Sequence, residues 1–305
     1  MIAYKAALGY SPFTYRYCLN NFDEYCCTDF PKETILTKEL VEGWVRLSDT
    51  ESTNSLRRRA TAVRELGRYL HSIGLPAYIM PTGMIARQTR YVPHIYTEQE
   101  LSAFFYGAYH YDDQVKDPLV QYIVPVLFRV MYCCGLRPSE GRLIKTEDIN
   151  LETGRVYIRE AKRHKDRIVV LSDDVLLLCR RYDCLRKTLC GESECFFPDK
   201  DGRARTARWA GYQFKKCWRI SGMDNFTDPR PRMYDFRHSF ATKKLHDWLD
   251  AGENLYSMLP YLSSYMGHCN FAITAYYVHL LPERLRQSPM IDWQAFGELL
   301  PEAPL

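Results

Sequence analysis

The chain has 305 residues, 46% hydrophobic and 26% charged, the make-up of an ordinary globular protein long enough for two domains with cores of their own. Its net charge of +4 and pI near 8.4 permit a nucleic-acid partner without demanding one, because charge must cluster to leave a footprint. The longest apolar run, Tyr122 to Phe128, is too short for a membrane helix and contains Pro125, and Met-Ile-Ala-Tyr-Lys lacks a signal-peptide core, so a cytoplasmic protein without a membrane partner is expected.

Residues 1–85 read as helices. One opens at Ser11-Pro12 and carries Tyr15, Leu19, Phe22 and Tyr25; a second starts at Thr37 and carries Leu40, Val41, Trp44 and Val45. A third, Ser52 to Ser72, repeats Leu56, Val63 and Leu70 every seven residues with Ala60 and Leu66 beside them, a stripe that faces a core. Arg57, Arg64 and Arg68 fall on another face. The ordinary fate of such a row is a solvated face, but an arginine stripe with few acids nearby also grips DNA phosphates. Gly74 and Pro76 end this helix, residues 86–96 read as a linker, and Thr97 with Glu100 spells a capping box for the helix that follows. The expected division is therefore 1–85, a linker, and a second domain over 97–305.

The second part is mainly helical with one sheet signal, which makes the fold class mainly α with a small β-hairpin or sheet (α+β). Val120 to Cys134 is an apolar helix stopped by Gly135. Two β-rich runs, 155–159 and 167–171, bracket a basic segment and predict a hairpin with Lys162, Arg163, His164 and Lys165 at its tip. Helices are expected near 172–189, 206–220, 233–248, 254–266 and 270–279. A last apolar pattern of Ile291, Trp293, Phe296, Leu299 and Leu300 suggests a C-terminal helix at about 290–300. Eleven cysteines, two pairs of them adjacent, make an awkward disulfide framework and suit a reducing compartment. Cys179, Cys184, Cys190 and Cys195 are spaced too widely for the tight knuckles of common zinc sites, so reduced thiols are the default and no metal is expected.

Four short islands carry the chemistry. In Gly-Leu-Arg-Pro-Ser-Glu, the spacing of Arg137 and Glu140 puts guanidinium and carboxylate on one helix face, either as a surface pair of little weight or as a carboxylate orienting an arginine fork for phosphate. Lys162 to Arg167 holds five basic residues, counting His164, against Asp166 alone, a tip able to follow a DNA groove. Tyr234 and Arg237 are three apart, followed by His238, among the apolar Phe236, Phe240 and Ala241. An arginine buried there needs a partner, and a phosphate is one candidate. Gly267-His268 precedes Tyr276 and Tyr277, a weak signal alone in a chain of 23 tyrosines.

Taken together, the islands resemble the tyrosine recombinase (phage integrase) family. That family is marked by an arginine in Gly-Leu-Arg-x-x-Glu, a hairpin lysine, a His-x-x-Arg box, a Gly-His, and a tyrosine nine residues after that histidine. The matching residues are Arg137 with Glu140, Lys162, Tyr234 with Arg237, His268 and Tyr277. Tyr277 fits better than Tyr276 because His279 follows it at the family's x-His spacing, and Lys162 fits better than Lys165. The resemblance covers about 95–290, with the N-terminal helices resembling the family's core-binding domain. It departs at Tyr234, where the box expects histidine: a phenol can donate to a phosphate oxygen but is a poor proton acceptor.

The resemblance implies a site-specific DNA recombinase that works through a covalent 3′-phosphotyrosine and a free 5′-hydroxyl, without metal or other cofactor. Tyr277 is the nucleophile, Lys162 protonates the leaving oxygen, and Arg137, Arg237 and His268, with Tyr234, stabilise the transition state; Glu140 and His238 support them. Since a free tyrosine with pKa near 10 is only about 0.1% ionised at pH 7, the flanking guanidiniums are expected to favour its phenolate. Arg57, Arg64, Arg68, Lys165 and Arg167 are the expected DNA contacts. The implied partners are double-stranded DNA and a homo-tetramer on paired sites, with room for an accessory directionality factor, and the C-terminal helix is expected to dock on a neighbouring subunit. An integrase or transposase of a mobile element with simple core sites is the leading expectation. A type IB topoisomerase and a catalytically silent DNA-binding regulator on the same fold are the alternatives.

Overall fold

The computed structural model describes residues 1–10, 12–46, 51–85, 92–111, 117–159, 166–223, 230–268, 271–281 and 291. They form two compact units, Met1–Tyr91 and Val92–Leu305.

The first unit holds α1 (Ile2–Ala7), α2 (Pro12–Asp29), α3 (Lys38–Trp44) and α4 (Thr53–Ser72). Thr37 starts α3 by accepting from the Leu40 N–H at 3.3 Å, and Ser52 starts α4 by accepting from the Ser55 N–H at 3.2 Å. Leu56, Ala60 and Val63 of the α4 stripe are buried, the latter two in one cluster with Phe22, Leu40, Val41 and Met80. Further along the stripe, Gly67 lies so close to the Tyr78 carbonyl that any side chain would collide with it. The sequence reading missed α1, which buries no residue and so shows no stripe.

The second unit contains α5 (Glu98–Tyr109), α6 (Val120–Cys133), α7 (Pro138–Arg142), β1 (Ile149–Asn150), β2 (Arg155–Ile158), β3 (Arg167–Val170), α8 (Asp173–Cys190), α9 (Ala207–Ile220), α10 (Asp235–Asp250), α11 (Leu255–Met266) and α12 (Phe271–Ala275). The predicted helix over 270–279 is in fact α12 followed by a tighter 3₁₀ turn, Tyr276–Leu280, a common way for a helix to finish. The Thr97–Glu100 capping box opens α5. The fold is thus mainly helical with one small antiparallel sheet of order β1-β2-β3. Val156 pairs with Val169 and Ile158 with Arg167, so Val156, Ile158 and Val169 face the core while Tyr157, Ile168 and Val170 face outward. The hairpin tip expected at 160–165 lies outside the described residues.

Helix α6 is mostly apolar and buries Val120, Ile123 to Phe128, Val130 and Met131 in the core of this unit, with Gln121 left exposed. Phe104 packs edge-on to Phe236 at 5.1 Å, and Phe214 meets Phe236 at 5.5 Å. A second cluster joins Phe240, Leu245, Leu255, Leu259, Leu262, Met266, Tyr277 and Val278. Helix α10 serves both: Phe236 belongs to the first cluster and Phe240 to the second, with Arg237 next to Phe236 in the chain.

Candidate active site

Gly135 adopts φ +59°, and a Cβ there would strike the Phe240 ring, so only glycine lets the chain turn from α6 into α7. The turn delivers Arg137 to the N-cap of α7, not to its face. Glu140 then closes a capping box: one oxygen accepts the Arg137 backbone N–H at 2.8 Å and the other accepts from Arg137 Nη1 at 2.6 Å. The spacing of three therefore starts a helix while fixing a guanidinium. Arg137 Nη2 donates to the Gly267 carbonyl at 3.0 Å.

Arg237 is fully buried. It donates to the Gly135 carbonyl at 2.7 Å and to the Met266 carbonyl, and its Nε has no partner among the described residues. Met266 ends α11 and Gly267 caps it in the left-handed conformation (φ 63°), so both guanidiniums are seated on the carbonyl end of one helix, where its dipole favours cations. Burial and the neighbouring Arg137 pull the Arg237 pKa down to about 10.

Arg167, expected as a DNA contact, has its side chain turned inward. Its side chain is 7% exposed. Nη1 and Nη2 donate to the two Glu140 oxygens at 3.0 and 2.8 Å, and Nε donates to the Tyr265 carbonyl at 2.7 Å. The guanidinium is turned inward because the buried Glu140 carboxylate needs compensation. Burial would raise the pKa of that carboxyl, yet Arg167 first and Arg137 second bring it down to about 2.

Tyr277 sits on the 3₁₀ turn with 3% exposure. Its ring lies 6.0 Å from His268, nearly parallel, and 5.6 Å from His238. His268 Nδ1 and the buried Thr274 hydroxyl are hydrogen-bonded at 2.7 Å, a supporting residue that no feature of the sequence announced. Burial pushes the Tyr277 phenol up to about 12, although Arg237, within hydrogen-bonding reach, and Arg137 pull the other way. The guanidiniums thus favour the phenolate as expected, but desolvation outweighs them. Burial first, and then the arginines, hold His268 down to about 3 and His238 to about 4.

Tyr234 stands at the rim, 38% exposed, at the N-cap of α10, with its ring 5.2 Å from His238. It is close enough to act electrostatically on the buried Arg237 and on Tyr277. Lys162 and Lys165 lie outside the described residues, as does the C-terminal helix, of which Ile291 alone is described, buried in the second cluster.

In the first unit, the half-buried Arg64 donates from Nε to the Met80 carbonyl at 2.9 Å and from Nη2 to the Pro81 carbonyl at 3.2 Å. Arg68 pairs at 2.8 Å with Glu65, which also takes Lys5, so the row is less free of acids than its sequence suggested. Arg57 lines a hollow of about 250 Å³ with Thr14, Tyr15, Arg58 and Thr61. Cys179 is buried and Cys184 and Cys190 are exposed, and among the described residues no three His, Cys, Asp or Glu side chains group as metal ligands. No described helix is long and apolar enough to cross a membrane.

Comparison with known proteins places this pocket in context. The sequence model of the phage integrase family matches residues 108–284. An integrase/recombinase of Sinorhizobium fredii, y4rB, is 26% identical over 259 residues, 83% of this chain and 82% of its own. Tyrosine recombinase XerD of Pseudomonas putida is 27% identical over 53% of this chain and 51% of its own. The fold is shared with XerH site-specific recombinase in a post-cleavage complex on difH substrate, at a TM-score of 0.69 and 20% identity over 93% of this chain and 80% of that one. It is shared too with a lambda integrase dimer bound to a core site, at 0.62 and 15% over 90% and 92%.

Proposed function

This chain belongs to the phage integrase family, the tyrosine recombinases that cut and rejoin DNA, and from that premise we propose that Tyr277 is its nucleophile and the carbonyl end of α11 the seat of its phosphate clamp. Arg137 and Arg237 bind the two non-bridging oxygens of the scissile phosphate, with His268 as a third donor. The phenolic oxygen attacks phosphorus, the bond to the 5′-oxygen breaks, and Lys162 protonates that oxygen. The 3′-phosphotyrosine keeps the energy of the phosphodiester, so a 5′-hydroxyl from another strand can reverse the step without ATP or metal. Guanidiniums held by carbonyls and Glu140 are pre-set for the charge that gathers on the equatorial oxygens in the transition state.

The observation that carries this reading is the burial of Tyr277 against Arg237 and His268 in one pocket with Arg137. The test is a nicked suicide duplex bearing a site selected by binding from a randomised pool. Wild type forms a protein–DNA adduct that survives denaturant, Tyr277→Phe forms none, and Tyr276→Phe keeps it. Loss in Tyr276→Phe with retention in Tyr277→Phe would move the nucleophile by one position.

The proposal extends to the assembly. The name of y4rB supports an integrase, and we place it on a mobile element, acting in the cytoplasm on chromosomal DNA. A lambda integrase tetramer bound to a Holliday junction shares the fold, which supports four copies of this chain acting on paired sites. Analytical ultracentrifugation with paired-site DNA checks this: a single copy per duplex that relaxes supercoils would indicate a topoisomerase instead.

A further inference from the structure

Position 234 leaves the pocket without the imidazole that the box supplies, yet α10 carries another histidine one turn on. His238 packs between the rings of Tyr234 and Tyr277, at 5.2 and 5.6 Å. Its Nδ1 is buried and has no hydrogen-bond partner among the described residues. The other imidazole beside Tyr277 differs: His268 has its Nδ1 engaged by Thr274. A buried ring nitrogen left unmatched beside a nucleophile's ring is a group held for use, since an orphan of this kind is otherwise selected against.

We propose that His238 is a catalytic residue that accepts the phenolic proton of Tyr277, doing from one turn along α10 what a histidine at 234 would do. This rests on Tyr277 being the nucleophile. In the forward step the O–H bond of Tyr277 breaks, its proton goes to His238, the phenolic oxygen bonds to phosphorus, and the 5′-oxygen leaves with a proton from Lys162. In the reverse step the 5′-hydroxyl returns its proton to Lys162 as it attacks, and the phenolic oxygen leaves phosphorus and recovers its proton from His238. The balance needs no other reactant. Burial and the charges of Arg237 and Arg232 keep His238 neutral in the DNA-free pocket, which is the form that accepts a proton. A phosphate seated on Arg237 and Arg137 offsets those positive charges, and so makes the imidazolium easier to form at the moment it is needed. Tyr234, partly exposed at the rim, keeps its ring 5.2 Å from the imidazole.

The experiment measures single-turnover cleavage of the nicked suicide duplex by full-length protein. His238→Gln keeps a polar side chain but cannot take the proton, and its cleavage rate is expected to fall about 100-fold with DNA affinity unchanged. The defect should persist on a duplex whose 5′-bridging oxygen is sulfur, a leaving group that needs no acid, because the missing function lies on the tyrosine side. Tyr234→His/His238→Gln returns an imidazole to the box and is expected to recover at least about tenfold of the loss, as a purely structural role for His238 would not. His238→Asn, with its melting temperature compared with wild type, covers failure of the first variant to fold.

Cleavage by His238→Gln within about threefold of wild type overturns the proposal. So does a defect that disappears on the sulfur duplex, or a folded double variant that recovers nothing. Absence of any adduct from wild type on a duplex it binds would instead refute the recombinase reading, so the two failures are distinguishable.

Discussion

The two sides of the pocket are built on opposite principles. On the arginine side most of the charge is answered: Glu140 takes Arg137 and Arg167 at 2.6 to 3.0 Å, and carbonyls of α11, of its cap and of the turn before α7 take Arg137 and Arg237, leaving Arg237 Nε without a partner among the described residues. On the tyrosine side little is answered. The phenol is pushed up to about 12, both imidazoles are held neutral, and His238 Nδ1 has no partner among the described residues. The difference follows from what each side meets. Under the proposed mechanism, fixed negative charge arrives on the phosphate, so donors gain from rigidity, whereas the proton moves only during reaction, so its groups gain from a dry site whose balance the substrate itself alters.

The sharpest way to break this contrast is Glu140→Ala, which leaves Arg167, Arg137 and Arg237 crowded without their common anion. Removing one partner from a buried charge cluster costs about 3–5 kcal/mol, so urea unfolding should show most of the protein's stability lost. A loss below about 1 kcal/mol would mean that the arginine side is not held as described. Arg167→Met should follow with about 3 kcal/mol and no change in the salt dependence of DNA binding. A DNA-contacting arginine would behave inversely, lowering the log–log salt slope by about one and leaving stability alone.

The smallest effect is the most diagnostic of the tyrosine side. His238 and His268 have folded-state pKa values below the ordinary 6.5, so the unfolded chain binds their protons first. Stability from them is complete above about pH 6.5, declines as the pH falls below that, and is gone once it has passed the folded values of about 4 and 3. By pH 4.5 the loss should be on the order of 2 kcal/mol per histidine, and His268→Asn should flatten the curve of urea midpoint against pH by one such share. An unchanged curve in that variant would place the histidine in water.

Much of this was legible in the sequence where a local rule governs. The α4 stripe, the Thr97–Glu100 box and the β2–β3 run are short-range patterns, and β1 escaped notice because two residues cannot display alternation. The order of Arg137, Arg237, His268 and Tyr277 pointed to one pocket through family resemblance, not through any rule of spacing. What was not legible is burial. Arg167 read as part of an exposed basic tip because its carboxylate partner lies 27 residues away in the chain. Arg64 read as one of a DNA-facing row because carbonyls 16 and 17 residues on have no signature. The pull of the guanidiniums on the phenol was legible, but the larger opposing effect of burial was not, because the water lost on folding is not written in its neighbours.

The seat of Arg137 on the Gly267 carbonyl joins residues 130 positions apart. On the ribosome this means that a growing chain carries its first arginine long before it owns the helix end that will hold it. Synthesis interrupted ahead of α11 leaves a chain whose Arg137 guanidinium lacks the carbonyl that fixes its bearing. The two guanidiniums seated on α11 thus acquire their fixed positions only once that helix end has been made.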